Sequence, residues 1–124
     1  MTKRHIVAAV DDMFFRAKIR TTAEHLDVEV DFVRSTDAAV ESAKKNRPAL
    51  IIIDLHSSRY DFVQLAEELK GDDELRAVPI LGFFSHVEIE LKRRAEQAGI
   101  DRVLPRSAFT KQLPEILQGG ISPC

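Results

Sequence analysis

The sequence holds a single cysteine, no internal repeat and no linker-like stretch. That cysteine, Cys124, is the last residue, so no internal disulfide can form, and a free thiol on a frayed tail is the expected state. Residues 119–124 are read as that tail and residues 1–118 as one domain. No apolar run approaches the roughly 20 residues that a membrane span needs. The opening MTKRHIVAAVDD places basic residues before an apolar stretch, as a secretory signal does. The stretch is too short, however, and it runs into two acids with no small-residue cleavage site. A cytoplasmic protein is therefore expected. Charge of one sign is also scarce: the formal net charge is −2 with acids and bases interspersed, which gives no general reason to expect nucleic-acid binding.

What is present is the composition of a folded domain. Hydrophobic residues make up 44% and charged residues 31% of 124 positions, enough for one core and unlike a disordered chain. Two periods alternate along it. Residues 6–10 and 50–53 are short, branched, nearly uninterrupted apolar runs and read as buried parallel strands. Val28, Val30 and Phe32 alternate with polar neighbours, as a half-exposed strand does. Residues 78–83, opened by Pro79, and 101–104 complete five strands.

Helical faces fall between them. The first uses Phe14, Ala17, Ile19, Ala23 and Leu26; the second, capped by Ser35 or Thr36, uses Ala39, Val40 and Ala43 and ends at Arg47-Pro48. The third uses Phe62, Leu65, Ala66 and Leu69 and closes at Gly71; the fourth, behind a Ser85 cap, uses Ile89, Leu91, Ala95 and Ala98 and closes at Gly99. Ser107 should cap the last helix, which Pro114 should kink or split.

Five βα units in this length predict a doubly wound α/β sandwich of three layers, with right-handed crossovers. Strand order 2-1-3-4-5 suits best, because it sets strands one and three side by side. Asp11 and Asp12 follow the first apolar run and Asp54 follows the third strand, so this order gathers all three at the carboxyl edge of the sheet. Open α/β sheets place their ligand sites there. Three acids in one place repel one another unless a cation or a basic side chain joins them. The pattern suggests a small hard-metal site, and a phosphoryl acceptor is one use of it.

Four motifs then carry a resemblance. VDD at 10–12, IIIDL at 51–55, VPIL at 78–81 and AGIDRVLPR at 98–106 stand in an order and spacing that resemble the receiver domains of bacterial two-component response regulators. The resemblance covers about Arg4 to Leu117 and implies a flavodoxin-like (CheY-like) fold. It implies that Asp54 accepts a phosphoryl group from a histidine kinase or phosphotransfer protein. It implies Mg²⁺ held by Asp11 and Asp12, with Asp12 the direct ligand, by Asp54, and by the backbone carbonyl of His56. Magnesium prefers oxygen ligands and keeps several waters, so this set suffices, and the ion would neutralise a transferring phosphoryl group.

Departures from the family pattern accompany the matches. The family closes its fourth strand on a Thr or Ser hydroxyl; Phe84 occupies that position, and Ser85 follows one residue out of phase, the candidate switch hydroxyl if a register slip or local bulge brings it into place. The family has a lysine after strand five, commonly followed by proline; here Arg106 and Ser107 stand there. Arginine keeps the charge but is planar and favours bidentate pairing, so a close Arg106–Asp54 pair could fill the pocket. Val103 replaces the aromatic of strand five, and Ser58 and Phe62 replace a proline and a glycine in the loop after the acceptor. The resemblance is thus to an atypical member with its metal half kept and its switching half altered.

Blander readings stand beside these. Asp11 and Asp12 suit the start of a helix. His56 and His86 lack the spacing of zinc ligands and read as solvated loop residues. Phe14, Phe15, Phe83 and Phe84 read as core, and Lys92, Arg93, Arg94 and Arg102 as a solvated basic face. Enzyme alternatives are weaker: an aspartate-based phosphatase wants a second acid where His56 stands, and Asp11 and Asp12 would repel a flavin phosphate. The reading is a stand-alone signalling domain, not an enzyme. Its output would pass to a protein partner or a second copy through helix four, strand five and helix five, a surface including Lys92, Arg93, Arg102 and the Phe109 region. A phosphorylation-independent adapter is the alternative.

Overall fold

The branched apolar runs become the centre of a parallel sheet. The computed structural model describes residues 4–85 and 88–119. Elements alternate strictly: β1 (His5–Ala9), α1 (Met13–Leu26), β2 (Glu29–Phe32), α2 (Thr36–Asn46), β3 (Leu50–Asp54), α3 (Phe62–Lys70), β4 (Ile80–Phe84), α4 (Ile89–Ala98), β5 (Arg102–Pro105) and α5 (Arg106–Leu117). The five strands lie in the order β2-β1-β3-β4-β5, all parallel. This is the doubly wound, flavodoxin-like arrangement expected above.

Alternation along each strand divides the core in two. Val7, Ile51, Ile53, Leu55, Ile80, Phe84 and Val103 pack with residues of α2, α3 and α4 on one face. Ile6, Ala8, Ile52, Leu81, Phe83 and Leu104 pack with residues of α1 and α5 on the other. Ile51, Ile52 and Ile53 are 1%, 0% and 0% exposed, and each such burial stabilises by roughly 1.5–3 kcal/mol. The layers fit closely at Gly82, where a Cβ would meet Leu55 side-chain carbons at 2.9–3.0 Å.

The helices depart from expectation in detail. In α1 the expected Ile19 and Ala23 are buried and Leu26 packs partly against the core, but Phe15 takes the place of Phe14, which is 64% exposed, and Ala17 is exposed. Phe14 is therefore not core. In α3 the expected Phe62, Leu65, Ala66 and Leu69 are all buried. In α4 Ala95 is buried, Leu91 and Ala98 pack partly against the core, and Ile89 is 82% exposed. Ser85 does not cap α4: the N-cap is Glu88, with no side-chain cap bond. Ser107 does not cap α5 either, because the helix starts at Arg106 directly from Pro105. Pro114 does not split α5, since burial of Phe109, Leu113, Ile116 and Leu117 holds the helix on both sides of it. Phe109 is 0% exposed and stacks on Phe83 at 4.4 Å between centroids, so it belongs to the core and not to a docking surface. His86, and the tail beyond Gly119 with Cys124, lie outside the described residues.

Candidate functional site

Sheet register brings the acids together. Ala9 of β1 pairs with Ile53 of β3, so the residues just beyond each strand emerge at the same edge. Asp11, Asp12, Asp54, His56, Ser57 and Ser58 line one open pocket of about 320 Å³ there. Asp54 is the last residue of β3 and pairs in register with Phe83 of β4. Its Oδ1 accepts a hydrogen bond from the His56 N–H at 3.0 Å. Burial raises its pKa above the ordinary 3.8 and the Asp12 charge adds to this, against the His56 and Ser57 N–H groups, which lower it.

The other two acids are already engaged. Asp12 is the N-cap of α1, and its carboxylate accepts the Phe15 N–H at 3.1 Å. The helix-capping reading of the acidic pair therefore applies to Asp12. Asp11 pairs with the Arg59 guanidinium, Nε to Oδ1 at 3.1 Å. The sequence pattern does not single out Arg59, which is marked only as a cation five residues after Asp54 in a polar loop. Next to it Tyr60 is buried, its hydroxyl donating to the Val33 carbonyl at 2.6 Å. Burial, and then the nearby Asp11, push that phenol up to about 12.

His56 is an exposed loop residue, as expected, but its ring is partnered. Its Nδ1 accepts the Ser85 N–H at 2.9 Å, and its Nε2 lies 2.5 Å from a Glu88 carboxylate oxygen. The ring therefore ties the loop after β3 to the segments after β4 and before α4. Ser85 itself is exposed, outside β4, and not among the residues that line the pocket. Phe84 ends β4 and is 4% exposed. The Arg106–Asp54 pair does not form. Among the described residues no ion pair joins them, and the Arg106 guanidinium stands over the Phe15 ring, 5.4 Å from its centroid. A ring face attracts the weakly hydrated guanidinium at low cost, whereas Asp54 is already bonded to its own loop.

The donor chemistry of the pocket suits a hard cation: three carboxylates and the His56 residue, all offering oxygen, around a space large enough for retained waters. The acids are nonetheless not drawn into a cage. Among the described residues no three His, Cys, Asp or Glu side chains stand close enough to hold one metal ion in common.

A model of the family described as response regulator receiver domain matches residues 6–118. The chain belongs to this family. The receiver is 24% identical over 113 residues to the polar-differentiation response regulator DivK of Brucella anthropi, across 90% of this chain and 92% of DivK. It superposes on the chemotaxis response regulator CheY4 of Vibrio cholerae with a TM-score of 0.82 at 20% identity, covering 97% of this chain and 100% of that one. The receiver domain of sensor histidine kinase PA1611 from Pseudomonas aeruginosa, solved with a magnesium ion coordinated in its active site cleft, gives 0.82 at 23% identity over 95% of this chain and 97% of that one. Such likeness shows the fold, and with the family match it makes the receiver a module of two-component signalling. No described helix is long and apolar enough to cross a membrane.

Proposed function

We propose that the receiver accepts a phosphoryl group on Asp54 from a histidine kinase or phosphotransfer protein of the cytoplasm. The observation that carries this reading is the place of Asp54: a half-buried carboxylate at the end of β3, in one pocket with Asp11 and Asp12. A carboxylate oxygen of Asp54 would attack phosphorus. The bond from phosphorus to the donor histidine nitrogen would break, its electron pair staying on that nitrogen. Burial works against this by favouring protonated Asp54, and the His56 N–H works for it by stabilising the carboxylate. Asp11, Asp12, Asp54 and the His56 carbonyl are the groups that would hold Mg²⁺, which when bound supplies positive charge against the transferring phosphoryl oxygens.

In this reading residues 1–118 are the functional unit and the module carries a signal without further catalysis of its own. Its partner surface is the α4–β5–α5 side with Lys92, Arg93 and Arg102, and a second copy is one candidate partner. Arg106 would have to leave the Phe15 ring to reach a phosphoryl oxygen. Ser85 would have to turn from the loop edge to supply a switch hydroxyl. Those two displacements favour a second reading, an adapter that binds its partner without phosphorylation.

Intact mass after incubation with acetyl phosphate and Mg²⁺ separates the two. Phosphorylation predicts one added phosphoryl group on the native protein and none on Asp54→Asn. An unchanged native mass would leave the adapter reading standing.

A further inference from the structure

We propose that Arg59 is a built-in counter-ion of the acidic pocket and that a divalent cation binds there in competition with it. This rests on the pocket being the cation site proposed above, and it goes beyond that reading by naming a residue that sets how tightly the cation is held.

The position of Arg59 is held by its neighbours. Its own N–H donates to Ser57 Oγ at 3.2 Å. The adjacent Tyr60 is buried and anchored by its hydroxyl to the Val33 carbonyl. The next residue, Asp61, donates its N–H to Thr36 Oγ1 at 3.0 Å and caps α3 by accepting the Gln64 N–H at 3.0 Å. The backbone on either side of Arg59 is thus fixed at the rim of the pocket, and from there its guanidinium reaches Asp11. Other guanidiniums near this edge are turned to aromatic faces: Arg106 lies over Phe15, and Arg16 over Phe32 at 5.4 Å. Arg59 is paired with a pocket acid.

Three acids in one pocket repel unless a positive charge joins them. Arg59 supplies one such charge from within the chain. A divalent cation that takes Asp11 Oδ1 as a ligand must displace the guanidinium, and one that binds the other oxygen or leaves Asp11 aside still meets its repulsion. Both sides of the pair are partly exposed, 47% and 38%, so solvent screens it and the competition is modest.

The test is Mg²⁺ titration of the native protein and of Arg59→Gln, followed by amide shifts of Asp12, Asp54 and His56. Arg59→Gln should bind Mg²⁺ roughly three- to tenfold more tightly, the range expected on removing one screened charge beside a divalent ion. In the native protein the Arg59 Nε–H resonance should shift in step with Mg²⁺ occupancy as its partner is taken away. Arg47→Gln removes an equal charge from an exposed pair with Glu74 and should leave the dissociation constant unchanged. Equal constants for native protein and Arg59→Gln, with binding seen in both, would overturn the inference alone. Absence of Mg²⁺-dependent shifts in both would overturn it together with the metal reading. Acetyl phosphate labelling of Asp54 reports separately on the phosphoacceptor role.

Discussion

Asp54 carries its charge where burial opposes it, and Asp12 adds to the opposition. The sign of the consequence follows from linkage. A carboxyl whose folded pKa is raised above 3.8 contributes most to stability below that value, and that contribution is lost as pH rises through the folded pKa. At neutral pH the ionised Asp54 therefore costs stability. Asp54→Asn keeps an oxygen to accept the His56 N–H and removes the charge, so it should be more stable than the native protein at neutral pH. The advantage should vanish in acid below 3.8. Urea unfolding at the two pH values measures this, and a variant less stable at neutral pH would contradict it. A site residue that weakens its own fold fits a group kept for chemistry.

Among the elements β4 carries the sharpest contrast. Phe83 and Phe84 are consecutive and so face opposite layers, Phe83 against Phe15 and Phe109, Phe84 against the α3 and α4 side. Phe84→Thr would put a hydroxyl where the family has one but would empty part of a close-packed layer. The loss should be roughly 2–4 kcal/mol, close to other large-to-small core changes. It should appear as a lower urea midpoint with an unchanged slope.

The strands and their order are legible in the sequence because branched runs such as 50–53 have few uses other than a buried parallel strand. Asp54 was legible for the same reason, as the first charge after such a run. Helix faces were less so: adjacent Phe14 and Phe15 satisfy the helical period equally, and only the packing of Phe15 against Phe83 chooses between them. Pro114 does not end α5 because tertiary burial overrides a local rule. Arg59, Glu88 and Tyr60 were hidden because their roles arise from contacts across loops, to Asp11, His56 and Val33, which no periodicity encodes.

Over the whole molecule, the question is how a change at Asp54 would reach the α4–β5–α5 side. A ligand moves a two-state equilibrium only by interacting differently with the two states. Phe84 offers a phosphoryl oxygen no hydrogen bond, and Val103, 9% exposed, fills its place in the same layer without an aromatic rotor. Among the described residues a polar route runs from His56 to the Ser85 N–H and to Glu88 before α4. Beryllofluoride added with Mg²⁺ should therefore shift amides of Asp54, His56, Ser85 and Glu88 and leave Val103 and Leu104 little changed. Large shifts through β5 would show a working switch by another path.

The anchored Tyr60 has an optical consequence. The sequence has one tyrosine and no tryptophan, so the near-ultraviolet emission of the protein comes essentially from a single phenol, placed beside Asp11 and held by Val33. That light is a label-free signal from the rim of the acidic pocket. Filling the pocket, freeing Arg59 or breaking the Val33 bond should each change its intensity, and alkaline titration of its absorbance should show one transition near 12. The protein thus carries its own probe where its chemistry is proposed to occur.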